Sequence, residues 1–241
     1  MFRQAMVLLA VFPGIASAAV EPWSGELTAG YLSTSGNSDS KSTNAKAEFV
    51  YTATKWRNTF TTSAIQSAQN GVANAERYAA GDKGDFNFTE RDYAFLAVEF
   101  EKDLFGPVRE RTSETAGYGR KLLTGPEHLL EAELGAGARQ TETQITALQT
   151  TAVKADDVIG RARVAYRWNF TEASAFHETV KVESGKSNTF LESISELKLS
   201  LVGKLFGVAS YTLRQNTDVP PGTSKTDSIT TFSLAWSFGK G

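Results

Sequence analysis

The sequence predicts an all-β, transmembrane, up-and-down antiparallel β-barrel of twelve strands. Three observations lead to this prediction. Twelve runs of residues alternate between apolar and polar side chains, their connections are short and long in strict turn, and the chain begins with a secretion signal. Barrels of bacterial outer membranes have short periplasmic turns and longer extracellular loops, whereas a soluble sandwich has no reason to sort its loops in this way.

The N-terminus has the three parts of a secretory signal peptide. Arg3 provides a positive charge, residues 5–12 are apolar, and Ala16-Ser17-Ala18 is a small-residue cleavage site. The apolar stretch is shorter than the roughly 20 residues that a membrane-spanning helix needs. The sequence therefore predicts a cleaved signal peptide over residues 1–18 and an outer-membrane barrel domain over residues 19–241.

The connections between the runs define the two ends of the barrel. The predicted periplasmic turns are residues 55–56, 89–92, 124–126, 171–173 and 203–204. The predicted extracellular loops are residues 35–41, 70–74, 104–108, 142–156, 185–187 and 216–225. Glycine and proline lie mostly at the ends of the runs, as is typical of turns. An even strand number leaves both chain ends on the periplasmic side.

The first clear alternation in chain order is in the second run. Its apolar face contains Ala45, Ala47, Phe49, Tyr51 and Ala53, and its polar face contains Asn44, Lys46, Glu48 and Thr52. Runs three, four and six alternate less regularly, so the sequence does not define which of their residues face the lumen. Period-two alternation over such lengths indicates strands with one apolar face.

The later runs alternate more strictly. The apolar face of run seven contains Leu130, Ala132, Leu134, Ala136 and Ala138. That of run eight contains Ala162, Val164, Tyr166, Trp168 and Phe170. Run ten presents Leu197, Leu199 and Leu201, and run twelve presents Phe232, Leu234, Trp236 and Phe238. In a membrane barrel these faces contact lipid and the polar faces line the lumen.

Aromatic residues concentrate at the ends of the runs that are predicted to be periplasmic. They are Trp23, Tyr51, Trp56, Phe86, Phe88, Tyr93, Trp168, Phe170, Trp236 and Phe238. Tryptophan and tyrosine prefer the membrane interface, because their rings are apolar while one edge forms hydrogen bonds. The pattern predicts an aromatic girdle around the barrel.

Several segments resemble a known family of outer-membrane proteins. They are residues 30–40, Glu76-Arg77-Tyr78, residues 85–100, Asp103-Leu104-Phe105, residues 116–120 and residues 133–137. They are similar to the salt-induced outer-membrane protein family, over essentially the whole mature chain. The resemblance implies a monomeric barrel in the outer membrane and regulation by osmolarity. It supplies no catalytic residues. The chain departs from the usual terminal aromatic of such barrels, since Phe238 is followed by Gly239-Lys240-Gly241.

The charged residues on the polar faces are the candidate functional residues. They are Glu131, Glu133, Arg139, Arg161, Arg163, Arg167, Lys181, Glu183, Glu192, Glu196 and Lys198. Two interpretations remain open. Separated acidic and basic arcs could line a small pore and create a transverse field that orders solutes. Alternatively, the charges pair across strands and fill the lumen, because buried charge must be paired.

Other chemistry is poorly supported by the sequence. The chain has no cysteine, which excludes disulfides and thiolate sites. His128 and His177 are the two histidines, and both map to the periplasmic rim on different hairpins, so no catalytic site, metal or cofactor is expected. Residues 37–40 resemble a calcium-binding string, but they lack the glycine and distal glutamate of an EF-hand loop. The formal charge of -2 without a basic face argues against nucleic acid as a partner.

The longest predicted loop, residues 142–156, has two interpretations. Its apolar residues Ile145, Ala147 and Leu148 fold inward as a lid, or the loop is a mobile exterior segment.

The sequence as a whole predicts a passive pore for small solutes or ions, or a structural component of the envelope, linked to salt response. Its expected partners are outer-membrane lipid and, during insertion, the barrel-assembly machinery. A lipase-like enzyme with an occluded lumen and a surface-binding protein are the alternatives.

Overall fold

Twelve antiparallel strands close into one barrel in this computed structural model, which describes residues 22–34, 40–171 and 174–239. The strands are β1 (Trp23–Thr34), β2 (Ser40–Thr52), β3 (Trp56–Gln69), β4 (Val72–Asn87), β5 (Asp92–Asp103), β6 (Val108–Thr124), β7 (His128–Thr143), β8 (Lys154–Thr171), β9 (Ser174–Ser184), β10 (Thr189–Val202), β11 (Leu205–Asn216) and β12 (Thr226–Phe238). Each strand pairs with its sequence neighbours, and β1 pairs with β12. The predicted fold class is confirmed. No helix in the described ranges has the length and apolar character to cross a membrane.

The two ends of the barrel differ in the lengths of their connections. One end, called the short-turn end below, has connections such as residues 53–55, 125–127 and 203–204. The other, called the long-loop end, has residues 144–153 and 217–225. β1 begins and β12 ends at the short-turn end, as an even strand number requires.

The strict short-long alternation that the sequence suggested is wrong at one hairpin of the long-loop end. The predicted loop over residues 70–74 is a two-residue turn, because β3 ends at Gln69 and β4 begins at Val72. Asn70 and Gly71 have φ angles of 50° and 78°. Positive φ at both central residues is typical of the type I′ turn, whose twist matches that of the paired strands.

Some predictions concern residues outside the described ranges. These are the signal peptide over residues 1–18, residues 37–39 of the calcium-like string, most of the loop over residues 35–41, residues 172–173 of one turn, and the last two residues of the chain.

Large apolar side chains project from the outside of the barrel. Leu96, Leu134 and Phe232 retain 61%, 69% and 66% of their accessible surface. Alternation turns every second residue of a strand to the exterior, and pairing between strands joins these residues into a continuous belt. A folded chain that exposes so wide an apolar surface needs an apolar surrounding. The exterior is therefore the surface of a transmembrane barrel.

Aromatic rings pack in pairs around the exterior at the short-turn end. Ring centroids are 5.0 Å apart for Trp23 and Tyr51 and 4.8 Å apart for Trp56 and Phe86. Tyr93 does not belong to this girdle, contrary to the prediction. Its side chain is 2% exposed and lies in the lumen, because Tyr93 has the inward parity of β5 together with Phe95.

Candidate functional site

The lumen contains the eleven charged residues that the sequence singled out. The structure places Glu131, Glu133 and Arg139 on β7, Arg161, Arg163 and Arg167 on β8, Lys181 and Glu183 on β9, and Glu192, Glu196 and Lys198 on β10. On each strand they alternate with the residues that point outward, such as the exposed Leu134 on β7, Val158 on β8 and Leu197 on β10, so they face inward. The register pairs Glu133 with Arg163 and Glu183 with Arg161 on adjacent strands.

Arg139 is the centre of a buried group near the long-loop end. Its side chain is fully buried, and its guanidinium lies 3.3 Å from the carboxylate of Asp157 and 3.8 Å from that of Glu183. The same guanidinium donates hydrogen bonds to the backbone carbonyls of Glu183 and Asn188. The hydroxyl of Ser113 donates to Glu183 over 3.1 Å. Two buried carboxylates thus share one guanidinium, and Arg139 Nε and Glu183 Oε1 have no hydrogen-bond partner within the described residues.

A second group crosses the lumen from wall to wall and is called the central cluster, comprising Glu99, Glu101, Arg161, Lys181, Glu192 and Arg214. Lys181 Nζ lies 2.6 Å from Glu99 and 3.6 Å from Glu192. The guanidinium of Arg214 pairs with Glu101 and lies 3.1 Å from Glu192. In a ring of twelve strands, β5 and β11 are opposite each other. The Arg214–Glu101 pair therefore joins opposite walls.

The central cluster favours one of the two interpretations of the lumen charges. Acidic residues of β5 and basic residues of β8, β9 and β11 are in direct contact. They do not stand apart as separate acidic and basic arcs along a small pore. The arrangement is the one expected when side chains pair across the lumen and fill it.

A third group, called the lower cluster, lies closer to the short-turn end and comprises Lys83, Tyr93, Glu133 and Arg163. Glu133 lies 2.7 Å from Lys83 Nζ and 3.3 Å from Arg163 Nη1. The hydroxyl of Tyr93 donates a hydrogen bond to Glu133 over 3.0 Å. Elsewhere around the wall, Lys198 pairs with Glu26, and Lys46 lies 3.3 Å from Glu196.

Two of the predicted residues are not paired within the described chain. Glu131 and Arg167 lie at the short-turn mouth of the lumen and line a cavity of about 510 Å³. They are on adjacent strands, but the register sets Glu131 opposite Ala165 and Arg167 opposite Leu129. Neither residue forms an ion pair with a described partner.

Sequence reasoning missed several residues that complete these groups. They are Glu26, Lys46, Lys83, Glu99, Glu101, Asp157 and Arg214. Glu99 and Glu101 alternate with the apolar residues Val98 and Phe100 on β5, which is a signal that could have identified them. Arg214 lies opposite Glu192 on the adjacent strand β10, but its partner Glu101 is 113 residues away on β5, and no local signal relates those two.

The two longest described loops meet over the long-loop mouth. The hydroxyl of Thr146 donates to the carbonyl of Pro221 over 3.2 Å. Ile145 and Leu148 are 53% and 74% exposed, so these two residues agree with the exterior interpretation of the loop rather than with an inward-folded lid. The contact between residues 144–153 and 217–225 instead uses polar and backbone atoms.

The histidines occupy unrelated positions. His128 is on the exterior of β7, where Nδ1 lies 2.9 Å from the hydroxyl of Tyr166 and the ring stacks beside Trp168. His177 has the inward parity of β9. Within the described residues, no group of three or more carboxylate or imidazole side chains is placed to hold a metal ion.

Comparisons with known proteins identify a family and, at lower similarity, several solved structures. A family described as "Protein of unknown function, DUF481" matches residues 27–238. The uncharacterized protein YdiY of Escherichia coli (strain K12) is 34% identical over 225 residues, covering 92% of this chain and 85% of that relative. Among solved structures, the translocator domain of the autotransporter NalP from Neisseria meningitidis is similar over 90% of this chain and 88% of its own, with a TM-score of 0.48 and 10% identity. The NanC porin has the same TM-score and identity, with 90% and 100% of the chains covered.

Proposed function

This chain belongs to the DUF481 family, and we propose that it is an outer-membrane barrel that conducts ions and small solutes when its charge-paired lumen opens. The observation that carries the proposal is the central cluster. In the part of the chain that the structure describes, side-chain ion pairs span the lumen between opposite walls at this level. Side chains change rotamer on short timescales, so pairs of this kind can open and close without movement of the barrel wall.

The central cluster also defines what the open state would select. Acidic residues of β5 face basic residues of β9 and β11. When these pairs separate, a narrow passage lies between a negative and a positive wall, and charge rows at a constriction set ion selectivity. Higher ionic strength weakens ion pairs that water reaches, which offers a physical link to salt response.

The proposal includes a location and an orientation. The apolar exterior would contact outer-membrane lipid, with the short-turn end in the periplasm and the long-loop end outside. The chain would act as a monomer after insertion by the barrel-assembly machinery. It would have no catalytic activity.

Planar-bilayer recordings test the proposal. The double variant Glu101→Ser with Arg214→Ser removes both members of the pair between opposite walls, and we expect larger and more frequent conductance steps than in the wild type. The matched control is Glu142→Ser with Lys154→Ser, which removes an ion pair of 3.3 Å near the long-loop end. This control should conduct like the wild type. If the folded double variant conducts no better than the control, the central cluster does not close the lumen. If none of the folded proteins conducts, the pore is refuted and a structural role in the envelope is favoured.

A further inference from the structure

A cavity of about 510 Å³, called the vestibule below, opens at the short-turn end of the lumen. Its charged lining consists of Arg57, Arg91, Lys121, Arg167, Glu90 and Glu131. Four bases against two acids leave an excess of positive charge around one space. The bases come from β3, from the turn over residues 88–91, from β6 and from β8, so they approach the cavity from several sides.

Several bases deeper in the lumen have carboxylate partners, whereas the buried Arg111 bonds to Asn216 and lies over the ring of Phe190. Arg139, Arg163 and Arg214 each lie within ion-pair distance of a carboxylate. Arg57, Arg91, Lys121 and Arg167 form no ion pair with any carboxylate of the described ranges. Their positive charge is therefore available to a ligand.

The vestibule is held in place by the barrel and by an ordered turn. The hydroxyl of Thr89 accepts hydrogen bonds from the backbone N–H groups of Arg91 and Asp92, at 3.2 and 2.8 Å. The N–H of Lys121 donates to the carbonyl of Arg91 over 2.8 Å. Two of the four bases are thus fixed to each other through the backbone. A site that is formed before binding loses less entropy when the ligand enters.

The inner end of the vestibule meets the lower cluster. Glu133 lies two residues further into the lumen than Glu131 on β7, and it is bound by Lys83, Arg163 and Tyr93. Lys83 also lies 2.6 Å from the carboxylate of Asp85, so two bases face two acids in this layer, which lies between the vestibule and the central cluster. The vestibule is therefore a pocket open to the short-turn side. It would be accessible to a ligand whether or not the lumen conducts.

We propose that the vestibule binds a soluble polyvalent oxyanion of the diphosphate type. Guanidinium groups recognise phosphate oxygens through paired hydrogen bonds, and three of the four bases are arginines. The cavity volume falls in the usual range of roughly 300–1,000 Å³ for small-molecule sites, which exceeds the need of a single chloride or phosphate ion. Bases on several sides match a ligand that carries charge at more than one group.

Calorimetric titration of the folded full-length barrel in a zwitterionic detergent tests this proposal, with inorganic pyrophosphate as the probe. We expect saturable binding with one site per barrel, and weaker binding of orthophosphate at matched ionic strength. The triple variant Arg57→Gln, Lys121→Gln, Arg167→Gln should lose affinity by roughly tenfold for each base removed. Heat-modifiable migration in gel electrophoresis verifies that each variant is folded.

The matched control removes the same charge at the opposite end of the barrel. It is Lys102→Gln, Lys154→Gln, Lys225→Gln, and it should bind pyrophosphate like the wild type. Equal losses in the two triple variants would mean that net charge alone is responsible and would overturn the site. Absence of binding to the wild type, or equal affinity for orthophosphate and pyrophosphate, would also overturn it. Conductance does not enter this test, so its result is independent of the proposed pore.

Discussion

Asn44 on β2 donates a hydrogen bond of 2.7 Å to the hydroxyl of Ser233 on β12. The strand between them, β1, has only the bare backbone of Gly30 at this level. The ladder between β1 and β12 covers Gly25–Ala29, whereas the ladder between β1 and β2 covers Trp23–Thr34. Side chains therefore continue the closure of the barrel where the backbone ladder has ended.

This seam predicts a strong effect of a methyl group at Gly30. A Cβ there would lie 2.3 Å from both Asn44 Oδ1 and the carbonyl oxygen of Phe232. Gly30→Ala should lower the free energy of unfolding by about 1–3 kcal/mol, because the backbone of β12 must move. Urea unfolding in micelles measures the change. In the control Gly160→Ala, the new Cβ meets nothing within 4 Å, and a loss as large as that of Gly30→Ala would contradict the explanation.

Arg139→Met should be among the most destabilising single substitutions in the lumen. It leaves the buried carboxylates of Asp157 and Glu183 without their cation, and removal of one partner of a buried pair costs about 3–5 kcal/mol. Lys154→Met is the comparison, since Lys154 is 79% exposed beside Glu142 and such pairs contribute about 0–1 kcal/mol. Similar unfolding free energies for the two variants would show that the Arg139 group is not stabilising.

The inward position of Tyr93 is tested by removal of its hydroxyl. Tyr93→Phe should lower the free energy of unfolding by about 1–2 kcal/mol, because Glu133 loses a buried hydrogen bond of 3.0 Å. Tyr211→Phe, at a position 46% exposed on the exterior, should stay within about 0.5 kcal/mol of the wild type. If Tyr93→Phe left the free energy of unfolding unchanged, the hydroxyl of the wild type would be hydrated rather than bound to Glu133.

Cysteine labelling tests the orientation, since the chain contains no cysteine of its own. Leu148→Cys lies in the loop over residues 144–153 and should react with a membrane-impermeant maleimide in intact cells. Glu90→Cys lies in the turn over residues 88–91 and should react only after the outer membrane is permeabilised. Reaction of Glu90→Cys in intact cells would reverse the proposed topology.

The sequence predicted the strands well because alternation is a local property. In run ten, Leu197, Leu199 and Leu201 alternate with polar residues, and the structure places them on the exterior of β10. Tyr93 shows the limit of that reasoning. Aromatic residues near strand ends suggest a girdle, but the side of the sheet on which each one lies depends on the parity of its strand. The parity of β5 turns Tyr93 inward.

Loop lengths were predicted less reliably. Asn70-Gly71 is a strong local signal for a two-residue hairpin turn, yet the following residues 72–74 look like loop because their alternation is weak. The structure pairs Val72 with Gln69 and adjusts the register by a bulge at Ser67 and Ala68. The bulge resets which residues face the lumen, and a local pattern does not reveal such a shift.

The sequence by itself determined the barrel: the strand number, the apolar exterior and the polarity of the lumen follow from period-two alternation and turn residues. Only the tertiary structure decided which charges meet. Arg214 and Glu101 are 113 residues apart and lie on opposite walls. Their contact depends on the stagger and closure of all twelve strands, because a barrel brings together side chains that no local pattern relates.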